Sequence, residues 1–379
     1  MNFIIIVVSL FLFVSYTILI FYYRQSWISI PVIKLVGDQN PQTKITIIIP
    51  ARNEEENIAG CLDSIVNQSY PKHLFEVLVV DDHSTDKTAN IILGYRHQNV
   101  KLISLKDFVA ANEINSYKKK AIEIAIQQST GELIVTTDAD CHVQAGWLHQ
   151  IAAYYEKKNA AFIAMPVGYD CNNDFLEIFQ ALDFMTLQGI TGAAVDKKIH
   201  SMCNGANVAY QKKAFIEVGG FMGIDNIASG DDMLLMHKIF KSFPAKVFFL
   251  KSKEVIVNTR PANTLKGFFN QRIRWASKAD KYDDKRIFAV LLLVYFFNAW
   301  ILVLGIISFF YPFALFLIGL LVSKTIIELF FLYPVAVFFN KRPMLWWFPL
   351  AQPFHILYTI TAGWLGKFGK YTWKERTVK

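Results

Sequence analysis

From Phe3 to Tyr23 the chain carries no charged residue, and Arg24 closes the run. A helix needs about 20 apolar residues to cross a hydrocarbon core, so this stretch is expected to be a transmembrane helix. A cleaved leader fits less well: the run is long, its start lacks a basic region, and no small-residue cleavage site follows. A second apolar block follows the charged segment "SKADKYDDKR" and extends from Ile287 to Phe339. It is long enough for two spans, with Pro312 as the turn between them. A last stretch, Met344 to Phe368, holds Gln352, Pro353 and His355. It could span, lie in the interface or form a re-entrant hairpin buried against protein. The 53% hydrophobic content and mean hydropathy of +0.29 agree with a chain that lies partly in lipid.

The formal net charge of +8 does not point to nucleic acid. Basic residues cluster where apolar segments end, at Lys341 and Arg342 and in "KFGKYTWKERTVK", the pattern of ends facing the cytoplasm and its anionic lipids. Cys61, Cys141, Cys171 and Cys203 show no C-x-x-C spacing, so free thiols are expected rather than a zinc site or a disulfide framework.

Between the apolar ends, Arg24 to Arg286 alternates strand and helix patterns in its first half. "KITIII", "FEVLVV", "VKLISL" and "ELIVTT" read as buried strands. Glu55 to Asn67 reads as a helix, "STDKTANIILGYR" as a second with Ser84 or Thr85 as its cap, and "KKKAIEIAIQQSTG" as an amphipathic third ending at Gly131. Such a rhythm predicts an α/β, doubly wound, mostly parallel sheet, because parallel neighbours need crossover helices.

Ligands of such sheets bind outside the carboxyl ends of the strands. Pro50, Arg52, Asn53 and Glu54 follow the first strand, Asp81 and Asp82 the second, and Asp138 and Asp140 the fourth. Each acid alone could serve a turn or a cap. Three strands delivering carboxylates to one rim is different, because like charges cost free energy unless a cation or hydrogen-bond donors offset them. Neither G-x-G-x-x-G nor G-x-x-x-x-G-K-[ST] follows these strands, which disfavours a dinucleotide fold and a P-loop. A phosphate-bearing ligand would then be held through metal, and hard oxygen ligands one residue apart suit Mg²⁺ or Mn²⁺.

The ordered motifs "IIIPARNEEENI", "VLVVDDHSTDKT", "TTDAD", "GANVAY", "SGDDMLLMHKI" and "QRIRW" resemble the membrane-embedded family 2 glycosyltransferases, which have a GT-A fold. The resemblance covers Ile45 to Trp275. It implies that Pro50, Arg52, Asn53 and Glu54 line the nucleotide, that Asp82 bonds the base, commonly uracil, and that Asp138 contacts the nucleotide. Asp140 would ligate the divalent metal bridging the diphosphate. Asp232 would stand where the family places its general base, with Asp231 in a slot often held by glutamate. Gln271, Arg274 and Trp275 match Q-x-x-R-W, which lines the donor and acceptor end, and Gly205 and Asn207 fall in a loop near the acceptor. Cys141 follows where many relatives have another acid.

The chemistry agrees with these roles. The leaving diphosphate gains charge, which a metal on Asp140 and a cation such as Arg274 would stabilise. A carboxylate must take the acceptor's hydroxyl proton, and an aromatic face such as Trp275 can stack on a sugar. Bland readings stand beside them. Asp231 and Asp232 open an apolar helical stretch and could be caps, and "TLKGFFNQRIRWASK" could be a basic amphipathic helix at the membrane. "FLEIFQALDFMTLQGI" would ordinarily be core, although its position also allows an interfacial helix that admits a lipid acceptor. His83, His142 and His237 have no paired metal-ligand spacing.

The expected organisation is a transmembrane helix over 1–24, a cytoplasmic GT-A domain over 25–286, membrane helices over 287–366 and a basic tail over 367–379. That makes one N-terminal and two or three C-terminal transmembrane or interfacial helices. The expected activity is inverting, metal-dependent transfer from a UDP-linked sugar to a lipid or lipid-linked acceptor at the inner membrane. The alternatives are a processive synthase of an extracellular polysaccharide, disfavoured by the few spans, and a nucleotide-sugar-binding membrane protein without chemistry. Intact Asp140 and Asp232 argue against the latter.

Overall fold

A computed structural model of the protein describes all residues except 1, 35–39, 111–112, 173, 200–201, 228, 279–283, 369–370, 374–375 and 379. The basic tail expected over 367–379 thus lies partly outside the described residues. An apolar helix, α1 (Asn2–Ser29), precedes β1 (Ile45–Ala51). Strand and helix then alternate through α2 (Ile58–Val66), β2 (Phe75–Asp81), α3 (Thr88–Leu93), β3 (Val100–Ser104), α4 (Tyr117–Gln128) and β4 (Leu133–Thr136). After α5 (Trp147–Lys158) come β5 (Phe162–Ala164), β6 (Val167–Tyr169), α6 (Phe175–Asp196), β7 (Val208–Gln211) and α7 (Lys212–Glu217). They are followed by α8 (Met233–Ser242), β8 (Val247–Phe249), β9 (Val257–Thr259) and α9 (Leu265–Ala276). The chain continues through α10 (Lys285–Ile307), α11 (Ala314–Phe338) and α12 (Phe348–Phe368) to a short hairpin, β10 (Tyr371–Trp373) and β11 (Arg376–Val378).

Two compact units result. One holds residues 31–170 and 195–260; the other holds 1–30, 171–194 and 261–379. In the first, seven strands run in the order β3-β2-β1-β4-β7-β5-β8. All neighbours are parallel except β7, which pairs antiparallel with β4 and β5. The core strands are nearly continuous runs of Ile, Val and Leu because both faces of a parallel sheet are covered, and Ile47, Ile48, Ile49, Leu133, Ile134 and Val135 are completely buried.

Two local expectations change. Ser84 and Thr85 do not cap α3. The N-cap position is Lys87, which makes no side-chain cap; Asp86, one residue earlier, accepts from the Thr88 N–H at 3.0 Å, while Ser84 and Thr85 bond Asn53. Helix α4 ends at Gln128, before Gly131. Gly131 is instead a point of close approach to β1: a Cβ there would stand 2.5 Å from the Thr46 nitrogen.

In the other unit, α1, α10 and α11 are long and apolar enough to cross a membrane, and the turn between α10 and α11 contains Pro312 as expected. Among the described residues, the buried charges of this unit are paired. Lys324 Nζ on α11 lies 2.7 Å from Glu328 Oε1 and 2.9 Å from Gln352 Oε1 of α12, and Tyr16 of α1 donates to Glu328. Polar residues this deep in an apolar helix layer persist when they satisfy one another, and here they tie three helices together. Helix α6 is largely core here, burying Phe179, Leu182, Phe184 and Met185.

Candidate active site

Strand order reverses at β1, which has β2 and β3 on one side and β4 on the other; the crevice outside their carboxyl ends is where such sheets bind ligands. Pro50 is the penultimate residue of β1. Beyond it, Arg52 Nη1 donates to the Asp82 carbonyl at 3.0 Å and lies 3.8 Å from the Asp82 carboxylate. Asn53 turns the chain with a φ of 51°, a left-handed conformation that asparagine tolerates better than most residues. Its N–H donates to Ser84 Oγ at 3.0 Å and its Oδ1 accepts from the Thr85 N–H at 2.9 Å. The Glu54 N–H donates to Thr88 Oγ1 at 2.8 Å. The loops after β1 and β2 are therefore stitched into one rim. Asp82 is buried with Oδ1 2.9 Å from His83 Nδ1. The buried Oδ1 of Asp81 has no hydrogen-bond partner among the described residues, which is costly unless a ligand donor fills the gap.

The carboxylates after β4 meet a lysine. Lys118 Nζ, on the first turn of α4, lies 2.8 Å from Asp138 Oδ1 and 3.3 Å from Asp231 Oδ2. Burial pulls this ammonium down, but Asp138, Asp231 and Asp232 outweigh it and hold it charged well above the ordinary lysine range. Asp232 caps α8: its Oδ1 accepts from the Met233 N–H and its Oδ2 from the Gly205 N–H, each at 2.7 Å. A Cβ on Gly205 would stand 3.0 Å from Asp231 Oδ2 and 3.2 Å from Lys118 Nζ, so the smallest residue lets backbone approach this cluster. Asn207 supports that loop from below. It is completely buried, donates to the Pro166 and Val255 carbonyls at 2.7 Å each, and accepts from Trp147 Nε1 at 3.1 Å.

Asp140 Oδ2 accepts from Thr259 Oγ1 at 3.1 Å. Burial, then the Asp138 and Glu54 carboxylates, push the Asp140 carboxyl above its ordinary range, a repulsion that a cation would offset. No group of three or more His, Cys, Asp or Glu side chains among the described residues forms a metal cage. The donor set fits Mg²⁺ or Mn²⁺ nonetheless, since these ions take one or two protein carboxylates and complete their shells with phosphate and water.

The sheet unit thus brings Asp138, Asp231, Asp232 and Gly205 together around Lys118, with Asp140 two residues from Asp138. Gln271, Arg274 and Trp275 lie on α9 in the other unit, all half-buried. Helix α9 is not merely a surface helix, because Arg272 within it is buried. Sequence reasoning missed Lys118, which sits in "YKKK" and reads there as a solvated face, and Thr259, which stands far along the chain from its partner Asp140.

Comparisons with known proteins follow the same lines. The family model described as Glycosyl transferase family 2 matches residues 46–219, and that described as Glycosyl transferase family group 2 matches residues 133–365. The Staphylococcus aureus poly(ribitol-phosphate) beta-N-acetylglucosaminyltransferase TarS is 34% identical over 119 residues, which is 31% of this chain and 20% of TarS. A beta-monoglucosyldiacylglycerol synthase from a Nostoc species is 29% identical over 119 residues, 31% of this chain and 25% of that protein. The chain therefore spans no more than about a quarter of either relative's length. The mannosyltransferase PcManGT from Pyrobaculum calidifontis, solved in complex with GDP-Man and Mn²⁺, superposes with a TM-score of 0.60 at 18% identity over 93% of this chain and 98% of that one. At that identity the likeness bears on the fold alone.

Proposed function

Because the chain belongs to Glycosyl transferase family group 2, we propose that it moves one sugar, with inversion, from a UDP-sugar to a membrane lipid or lipid-linked acceptor. The observation that carries the reading is the Lys118 bridge, which joins a D-x-D carboxylate, Asp138, to Asp231, one of the acids that precede α8, through one half-buried cation. In this reading Pro50, Arg52, Asn53, Glu54 and Asp82 line the nucleotide, and the unpartnered Asp81 oxygen accepts from one of its donors. Asp138 faces the diphosphate with Lys118 as counter-cation. Asp140, with Asp138 beside it, would hold Mg²⁺ or Mn²⁺, which supplies charge neutralisation to the leaving diphosphate when bound; the manganese in PcManGT supports this reading.

Asp232 takes the proton of the acceptor hydroxyl as its oxygen bonds to the anomeric carbon and the bond to the nucleoside diphosphate breaks. The N–H groups of Gly205 and Met233 aim that carboxylate. Asp231 holds Lys118, and Asn207 keeps the Gly205 loop in place. We extend the proposal to Gln271, Arg274 and Trp275 as parts of the transfer machinery.

The catalytic region would take in 25–286 and face the cytoplasm at the inner membrane, tethered by helices within 1–24 and 287–366 and by a basic tail over 367–379. A lipid acceptor is supported by three helices long and apolar enough to cross a membrane and by the relative that makes a glucosyldiacylglycerol. The relative that modifies poly(ribitol-phosphate) supports a glycan or polymer acceptor as the second reading.

Purified protein in detergent, given a panel of UDP-sugars with Mn²⁺ or Mg²⁺, should release UDP, faster once lipid extract is added. Mass spectrometry of lipid extracts from cells with and without the protein should then reveal a missing glycolipid. A missing polymer with unchanged lipids overturns the acceptor assignment, and no turnover of any donor overturns the reading as an enzyme of this class.

A further inference from the structure

The buried guanidinium of Arg272 occupies a position that Q-x-x-R-W leaves unspecified. It is 3% exposed, and a charge taken so far out of water is retained only if it is well compensated. Asp183 on α6 compensates it: Arg272 Nε lies 2.9 Å and Nη2 2.7 Å from Asp183 Oδ2. The other carboxylate oxygen, Asp183 Oδ1, accepts from the Tyr358 hydroxyl of α12. One oxygen of this carboxylate therefore holds the guanidinium of α9 while the other is held by α12.

The rest of Arg272 is turned onto the motif. Its Nη1 donates to Gln271 Oε1 at 2.6 Å, which fixes which way that amide faces. Its plane lies over the Trp275 ring at 4.3 Å and the Phe268 ring at 4.7 Å, and Phe184 of α6 packs against Trp275 with ring centroids 5.9 Å apart. A fork with five donors and a stacking face can serve these partners at once, whereas an ammonium cannot.

We propose that Arg272 and Asp183 are positioning residues for sugar transfer: Asp183 fixes Arg272, and Arg272 sets the orientation of the Gln271 amide and the Trp275 indole. The inference rests on the reading in which Gln271 and Trp275 serve the transfer step. Neither Arg272 nor Asp183 touches substrate in it. A contribution made only as the transition state forms lowers kcat and leaves donor binding alone.

The test uses full-length protein in detergent and four variants. Arg272→Lys keeps a cation beside Asp183 but loses the fork to Gln271 and the flat face under Trp275. It should melt within a few degrees of wild type, bind UDP with unchanged affinity, and lose about tenfold or more in kcat for transfer with donor KM nearly constant. The double variant Asp183→Leu/Arg272→Met removes both charges together, so that neither is left buried alone, and should show the same loss in kcat while folded. Gln271→Ala and Trp275→Ala serve as references. If each of them lowers kcat while Arg272→Lys and the double variant retain it within twofold, the positioning role is wrong. If neither reference variant changes kcat, the motif assignment fails first, and the inference falls with it. A kcat loss accompanied by an equal loss of UDP affinity or by unfolding of both variants marks a structural ion pair and also overturns the proposal.

Discussion

The ammonium of Lys118 stands 2.8 Å from the Asp138 carboxylate and 3.3 Å from that of Asp231, so one side chain links the acid pair after β4 to the acid pair before α8. Removing it leaves like charges facing each other across the cluster and takes a fixed cation away from a developing anion. Lys118→Met should lower turnover by about 10²-fold or more, and Lys118→Arg should recover part of it. Steady-state release of UDP checks both; a Met variant with wild-type turnover would show that Lys118 serves the fold alone.

Asp140 and Asp232 should separate cleanly by assay. Asp140→Asn keeps the shape but removes the charge that would hold a divalent ion, so UDP affinity should stop responding to Mn²⁺. Asp232→Asn should retain metal-dependent UDP binding and lose about 10²- to 10⁴-fold in transfer, the range of a lost general base. Titration calorimetry with and without Mn²⁺ reads the first, and single-turnover transfer the second. Equal Mn²⁺ dependence in wild type and Asp140→Asn removes Asp140 from the metal.

Asp81 Oδ1 is buried without a hydrogen-bond partner among the described residues, while Asp82 Oδ1 lies against His83. If a nucleotide N–H pairs with Asp81, then Asp81→Asn should weaken UDP binding by about 1–2 kcal/mol, read by the same titration. Asp81→Asn binding UDP as tightly as wild type would mean that the oxygen stays unpaired in the complex as well.

The first four strands and the acids at their ends were legible because a buried parallel strand is a continuous apolar run and its rim follows immediately in sequence. What was not legible depends on distance along the chain. Strands of three residues such as β5, β8 and β9 carry too little pattern to read. Lys118 looks like a solvated helix face until Asp231 is folded against it, and Thr259 meets Asp140 where His142, two residues after that acid, bridges Asn258 of β9. Arg272 reads as one more cation in a basic helix; its burial depends on Asp183 in a helix that the sequence places in the middle of the sheet domain.

Gly131 tests the sheet independently of the chemistry. A methyl group there would meet the Thr46 nitrogen at 2.5 Å and the Ile45 carbonyl carbon at 2.7 Å, and backbone cannot step aside as a flexible side chain can. Gly131→Ala should therefore cost about 1–3 kcal/mol or more, seen as a lower thermal midpoint, although alanine normally rigidifies an unfolded chain to a protein's benefit. An unchanged or raised midpoint would mean that β1 and β4 do not approach as described.

Lys251 gives stability a pH dependence of known sign. Burial pulls its ammonium down from 10.5 to about 8, so between these values the unfolded chain holds a proton that the folded chain has released. Stability then rises with pH across that window, because the unfolded state binds more protons there; below pH 8 both states are protonated and the cost of the buried charge is constant. Lys251→Met removes the cost altogether. The variant should melt above wild type at pH 7, by about 2–4 °C for each kcal/mol relieved, and the gap should narrow steadily towards pH 10. Melting curves of both proteins at pH 7, 8, 9 and 10 decide it, since other titrating lysines cancel in the difference. A gap that stays constant or widens with pH shows that Lys251 is charged in the folded protein throughout.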